Sequence, residues 1–314
     1  ALQVIERNGG KVEELIGNTP LVELKGMEDQ HEINARLFAK LEYLNPFGSS
    51  KDRVAKKMLD TAEEQGMIKR GVTTIIEPTS GNTGVALAAL GEHRGYRTML
   101  VMPEDVSEER RLLLRARGAE IVLTEAEKGI KGAAEKAQEL AKEEGNTWMP
   151  GEFTNPAGVQ AHYETTGPEI WEAMDGKVDI FVCAVGTGGM ITGVGRYLKE
   201  KNPNIRVVAV EPSKSAVLSG GEPGKHEIQG IGPGFVPEIL DRSVYDEVLT
   251  VAAEECYMMC HDLAGREGIL AGISSGAVLE AAVTVAERPE SQGKNIVVVL
   301  SDGGDWYLTT PLFA

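Results

Sequence analysis

Thr73-Thr74-Ile75-Ile76-Glu77-Pro78-Thr79-Ser80-Gly81-Asn82-Thr83-Gly84-Val85-Ala86-Leu87-Ala88-Ala89-Leu90 passes from a short apolar run through a hydroxyl-rich glycine turn into an Ala/Leu-rich segment. It reads as a buried strand, a turn and a helix in immediate succession. The same alternation continues along nearly the whole chain. Buried strands are expected at 73–77, 98–102, 120–123, 180–185, 206–210 and 295–300, with helices between them, for example at 108–117 and 130–144. That order predicts an α/β architecture with a mostly parallel sheet, because a parallel pair needs a crossover long enough to hold a helix. Residues 145–151, containing Trp148-Met149-Pro150, break the periodicity and are the expected boundary between two lobes. No internal repeat or low-complexity tract is visible.

The turn at 79–84 also carries chemistry. Unpaired N–H groups at a helix start and Ser/Thr hydroxyls converge there into an anion cradle, which suits a carboxylate as well as a phosphate. A well-capped strand-to-helix turn accounts for one or two of these residues, but poorly for six in a row. A second cradle, Gly186-Thr187-Gly188-Gly189-Met190, follows the run at 180–185 and precedes a helix at 191–200. The competing reading is a dinucleotide site with Glu211 as the ribose-binding acid, but the third glycine position of G-x-G-x-x-G falls on Ile191. Glycines clustered at 188 and 189 suit a compact phosphate instead. A third turn, Gly272-Ile273-Ser274-Ser275-Gly276-Ala277, is unremarkable as a helix cap.

In Asn45-Pro46-Phe47-Gly48-Ser49-Ser50-Lys51-Asp52-Arg53, followed by a helical stretch at 54–65, a lysine stands where a helix begins. The positive end of the macrodipole disfavours an ammonium there by roughly 0.3–1 kcal/mol. That favours the free amine, the form that attacks a carbonyl to make a Schiff base. An ordinary surface lysine in a first turn is the plain alternative. A phosphate cup, a carboxylate cup and a helix-start lysine in one α/β chain together point to pyridoxal 5'-phosphate.

Composition narrows the classes further. The 314 residues are 42% hydrophobic with a net charge of −16, which describes a globular chain that repels phosphate backbones, so no nucleic-acid role is expected. There is no apolar stretch of about 18 residues and no basic-then-apolar amino terminus, so neither a membrane span nor a secretory signal is expected, and the default compartment is cytoplasmic. Three cysteines make no disulfide framework. Cys256 and Cys260 are separated by three residues rather than the two of a haem attachment, and no second Cys/His pair lies nearby to build a zinc site. Structural packing of both thiols is expected, and no metal.

Further runs extend the pattern: Leu15-Ile16-Gly17-Asn18-Thr19-Pro20-Leu21, Thr165-Thr166-Gly167-Pro168-Glu169-Ile170-Trp171 and the closing Tyr307-Leu308-Thr309-Thr310. With the loops above, these resemble the cysteine synthase (O-acetylserine sulfhydrylase) branch of the fold-type II, tryptophan synthase β-like pyridoxal-phosphate enzymes. The stretches Met102-Pro103 through Ser107-Glu108-Glu109-Arg110-Arg111 and Asp302-Gly303-Gly304-Asp305-Trp306-Tyr307 look more like the B-type isoform than the A-type.

The resemblance implies a two-domain α/β fold of twisted, mostly parallel sheets flanked by helices. It implies a smaller, mobile domain at 41–152 and a larger one from 1–40 and 153–314, in a homodimer. It makes Lys51 the residue that carries the cofactor and the base over the substrate α-hydrogen. Asn82 then bonds the ring hydroxyl, Gly186, Thr187, Gly188, Gly189 and Met190 take the phosphate, and Ser274 faces the pyridine nitrogen. Thr79, Ser80, Gly81 and Thr83 receive the substrate carboxylate, with Glu152 and Gly230 beside the substrate. A neutral serine at the ring nitrogen favours loss of a β-leaving group over transamination. The implied reaction replaces the acetate of O-acetyl-L-serine by sulfide, through an α-aminoacrylate, to give L-cysteine. The carboxyl terminus of serine acetyltransferase is an implied partner.

Three positions depart from the family pattern. Glu152 stands where relatives usually carry glutamine, placing a carboxylate near a carboxylate. Met190 replaces a threonine and removes a hydroxyl donor, and Pro233 replaces an alanine. Glu152 keeps a second reading open, cystathionine or lanthionine formation from serine or cysteine with release of water or hydrogen sulfide. The absence of arginine from Gly230-Ile231-Gly232-Pro233-Gly234-Phe235 points away from O-phosphoserine. A reading from another class, a cofactor-bearing scaffold subunit, is opposed by the retention of Lys51, Asn82 and Ser274.

Overall fold

The structure, a computed structural model, describes residues 11–314. Its strands in chain order are β1 (Leu21–Glu23), β2 (Arg36–Leu41), β3 (Thr74–Pro78), β4 (Arg97–Pro103), β5 (Glu120–Thr124), β6 (Thr147–Trp148), β7 (Ile180–Ala184), β8 (Arg206–Pro212), β9 (Glu247–Val251) and β10 (Asn295–Leu300). Contacts divide the chain into two compact units. One comprises the stretch ending at Ile16 together with Lys51–Ala157, and the other Gly17–Ser50 together with Gly158–Ala314. The division expected from the sequence ended at 41 and 152 instead, and residues 1–10 of its larger part lie outside the described residues. Hydrogen bonding accounts for the place of 42–50. The Ser50 N–H donates to the Ser301 carbonyl at 2.9 Å and Ser49 bridges to Asp302, so the turn before Lys51 is tied to the end of β10.

The second unit holds a six-stranded sheet in the order β1-β2-β10-β7-β8-β9, parallel except for β1 against β2. β10 shows why its sequence is apolar without interruption from Ile296 to Leu300. Ile296, Val298 and Leu300 enter a core with Met259 and Val278, while Val297 and Val299 enter another with Phe181 and Val194. Successive side chains point to opposite faces, so a strand covered on both sides is apolar at every position. Each such fully buried side chain contributes about 1.5–3 kcal/mol. The first unit holds a four-stranded parallel sheet in the order β5-β4-β3-β6. There Ile76, Met99 and Val101 pack against Ala133 and Ala137 of the Gly129–Glu144 helix.

All six expected strands form. β5 corrects the expectation of burial: among the described residues it is an edge strand with one neighbour, and its residues are half-buried or exposed. β2 escapes a reading of apolar runs because Lys40 interrupts it. That side chain is buried, and its Nζ donates to the Thr19 carbonyl at 2.7 Å and to Glu169 Oε1 at 2.8 Å. Part of the segment 145–151, expected as an irregular boundary, instead supplies β6 to the first sheet, and the division between units falls after Ala157. No helix of the described residues is long and apolar enough to cross a membrane.

Candidate active site

In the first unit Lys51 opens the Lys51–Glu64 helix. Its Nζ lies 3.6 Å from Glu152 Oε2, with 23% of the lysine side chain and 12% of the glutamate side chain exposed. The same Glu152 oxygen accepts a short hydrogen bond from the Thr83 hydroxyl. Thr83 belongs to the helix Asn82–Arg94, whose N-cap is Gly81, and no side chain caps that helix. Thr79 is buried and its Oγ1 accepts from the Gly81 N–H at 3.3 Å, tightening the turn, while Ser80 and Asn82 are half-buried. Gly84 packs closely in the same turn: a β-carbon there would sit 3.1 Å from Thr79 Cγ2 and 3.2 Å from Leu100 Cδ1.

A residue the sequence reading passed over joins this group. Glu77, on β3, is 3% exposed, and its Oε2 accepts from the Gly151 N–H at 2.8 Å. Burial pushes its carboxyl up to about 8 and the neighbouring Glu152 adds to the rise, while the N–H groups of Gly151 and Glu152 oppose it. The available signal was a charged residue inside an otherwise apolar strand.

In the second unit the 186–190 loop connects β7 to the Gly189–Lys201 helix. A β-carbon at Gly186 would lie 2.4 Å from the Gly230 carbonyl oxygen, and one at Gly188, where φ is +85°, would lie 2.7 Å from Leu240 Cβ. Glycine is therefore enforced at both places by close approach, and at the second by backbone conformation as well. The Gly189 N–H donates to Thr187 Oγ1 at 3.3 Å. Met190 packs its side chain on the core that contains Phe181, so what it offers the loop is backbone. Ser274 is half-buried in the first turn of the Ile273–Ala286 helix, and the neighbouring Ser275 hydroxyl is buried without a hydrogen-bond partner. The start of that helix is fixed by Asp302: the Gly272 N–H donates to its carbonyl at 3.2 Å, and the Tyr307 hydroxyl donates to its Oδ2 at 2.6 Å.

The structure thus brings Lys51, Thr83 and Glu152 together in one unit and Gly186 and Gly230 together in the other. Glu211 is no ribose acid. Both its oxygens are taken, by the Leu218 N–H at 2.7 Å and by the Ser219 N–H and hydroxyl at 2.9 and 2.7 Å. Cys183, Cys256 and Cys260 are free and buried, as packing thiols are. Among the described residues no cluster of His, Cys, Asp and Glu could hold a metal ion.

The family model for pyridoxal-phosphate dependent enzymes matches residues 12–302. The chain belongs to that family. This pyridoxal-phosphate-dependent enzyme is 48% identical over 304 residues to a cysteine synthase of Staphylococcus aureus, covering 96% of each chain. It superposes on the crystal structure of a cysteine synthase from Entamoeba histolytica with a TM-score of 0.94 at 43% identity, covering 100% of this chain and 93% of that one. A hydrogen sulfide-producing enzyme from Fusobacterium nucleatum superposes with a TM-score of 0.90 at 43% identity, covering 95% of this chain and 99% of that one. The residues present fit the family's cofactor. Lys51 offers a partly exposed primary amine for its aldehyde, and the 186–190 loop is a glycine cradle into which no side chain at 186 or 188 could project.

Proposed function

We propose that this enzyme makes L-cysteine by replacing the acetate of O-acetyl-L-serine with sulfide. The observation that carries the reading is the helix-start Lys51 beside a hydroxyl-rich loop, in a chain that matches cysteine synthases over nearly its whole length. When bound, the cofactor supplies an electron sink that makes the substrate α-hydrogen acidic and the β-substituent labile. Lys51 carries the cofactor and afterwards takes and returns the α-proton at its Nζ. The N–H groups and hydroxyls of Thr79, Ser80, Gly81 and Thr83 orient the substrate carboxylate, so that only the β-carbon is presented for exchange. Asn82 fixes the ring hydroxyl, Gly186 through Met190 take the phosphate, Ser274 meets the ring nitrogen with a neutral hydroxyl, and Gly230 borders the substrate. We assign it the cytosol, where free buried thiols are at home, and a homodimeric state; the carboxyl terminus of serine acetyltransferase is a fitting ligand for the same carboxylate cradle.

Glu152 favours a second reading, β-replacement on serine or cysteine with release of water or hydrogen sulfide. One experiment separates the two. The absorbance spectrum of the purified holoenzyme is compared with that of Lys51→Ala, and O-acetylserine, serine and cysteine are added in separate cuvettes. A lysine-dependent band that O-acetylserine alone converts, and sulfide restores, supports cysteine synthesis. Conversion by serine or cysteine instead supports the second reading, and no lysine-dependent band sinks both.

A further inference from the structure

His226 uses both ring nitrogens on its own loop. Its Nε2 lies 2.8 Å from the Gly232 carbonyl oxygen, and its Nδ1 accepts from the Ile228 N–H at 3.2 Å. A carbonyl can only accept and an N–H can only donate, so these partners select the neutral ring with its proton on Nε2. The segment the ring closes contains two left-handed glycines, Gly230 with φ +90° and Gly232 with φ +58°. A β-carbon at Gly232 would meet Pro212 Cγ and Cδ at 2.6 Å and His226 Nε2 at 3.0 Å, so that peptide is held between the imidazole and the end of β8.

The closed turn leans on the 186–190 loop at two points. The Gly232 N–H donates to the carbonyl of Val185, the residue before Gly186, at 3.0 Å. The Gly230 carbonyl oxygen lies 2.4 Å from where a β-carbon on Gly186 would stand. Ile228 and Ile231 are buried in the core that holds Val182 and Val210, which fixes where the segment lies. Their burial does not orient the peptides at 230 and 232, because glycine reaches many backbone conformations at little cost. The imidazole supplies that orientation.

We propose that His226 is a positioning residue for the cofactor phosphate: its Nε2–H holds the Gly232 carbonyl, and through Gly232 and Gly230 it sets the backbone of the 186–190 loop. This rests on the reading of that loop as the phosphate cradle. The two arms of the ring differ in weight. Nδ1 engages the peptide of Ile228, whose side chain is already anchored, while Nε2 engages the glycine that bonds Val185. The arm to Gly232 therefore carries the effect.

Three variants, each prepared as holoenzyme, separate the arms. His226→Asn keeps an oxygen near the Nδ1 position to accept from Ile228, His226→Gln keeps an N–H near the Nε2 position to donate to Gly232, and His226→Ala keeps neither. The readouts are the phosphorus NMR signal of the bound cofactor, the rate of cofactor loss on dialysis and the melting temperature. His226→Ala and His226→Asn are expected to shift the phosphorus signal and to lose cofactor about tenfold faster, while His226→Gln stays within about twofold of wild type. A lower melting temperature in His226→Ala with the phosphorus signal in place marks plain loop packing and overturns the proposal, as does equal behaviour of His226→Gln and His226→Ala. If His226→Ala does not fold, the comparison of His226→Gln with His226→Asn decides, and equal signals from those two sink the idea. Gly186→Ala is the reference. Should it lose or shift the signal while the His226 variants do not, this inference alone fails; should it change nothing either, the phosphate reading of 186–190 beneath it fails.

Discussion

The Thr83 hydroxyl and Lys51 Nζ meet at a single oxygen, Oε2 of Glu152. Three segments far apart in sequence converge there, the start of one helix, the first turn of another and the loop after β6. Thr83 is buried, and its hydroxyl donates to that oxygen. Replacing it by valine keeps the volume and removes the donor. Hydrogen bonds to charged groups contribute about 1.5–3 kcal/mol, so Thr83→Val is expected to raise KM for the amino-acid substrate about 10- to 100-fold with a smaller change in kcat. Steady-state kinetics with O-acetylserine varied at saturating sulfide checks this, and an unchanged KM would remove Thr83 from the cradle.

Gly186→Ala is expected to release the cofactor. The added methyl group meets the Gly230 carbonyl oxygen at 2.4 Å, so one backbone segment has to move away from the other. Overpacking of this kind costs typically about 1–3 kcal/mol. Absorbance at the cofactor band per mole of protein, measured after dialysis, is expected to fall by more than half, and retention of a full complement would show that the loop gives way elsewhere.

Stability is expected to decline as pH rises from about 4.5 to about 8. Glu77 has its carboxyl raised to about 8 in the folded chain from an ordinary 4.5, so within that window the folded state binds more protons than the unfolded state. The slope is negative, at most about 1.4 kcal/mol per pH unit from this one group, and it vanishes above about 8 where both states are ionised. Urea unfolding of wild type and Glu77→Gln at pH 6 and pH 8 measures it. The difference between the two proteins is expected to grow in favour of the glutamine variant toward pH 8, and parallel behaviour would place the pH dependence in other groups.

The thiols are expected to stay silent in the native protein. Burial pushes Cys183 and Cys260 up to about 12 and Cys256 higher still, and each side chain is nearly or wholly enclosed. A chromogenic disulfide reagent is expected to modify none of the three at pH 8 until denaturant is added, and then all three. A thiol that reacts fast under native conditions would mark a local opening of the Ala253–Glu267 or Ile180–Ala184 element.

Much of the fold was legible because periodicity reports burial. β10 is apolar from Ile296 to Leu300 because both of its faces are covered there, and that is visible as a run of letters. β2 lies beside it in register, Val298 opposite Ala39, yet was not legible. Its Lys40 is neutralised by Glu169, 129 positions away, and nothing local announces such a partner. β5 read as buried because its residues are apolar, while its exposure follows from β4 being its single neighbouring strand among the described residues.

The same division holds for the chemistry. Lys51 at a helix start, the hydroxyls of 79–83 and the glycines of 186–189 were written in the sequence, because each is a local demand of backbone geometry on residue type. Family, cofactor and the departure at Glu152 followed from those letters. Only the tertiary structure decided what Glu152 touches, that Glu77 stands behind it as a buried acid, and that Asp302 and Tyr307 hold the helix start of Ser274. Those relationships depend on distances between side chains from separate strands and helices and on the exclusion of water around them. Neither quantity exists until the chain has folded.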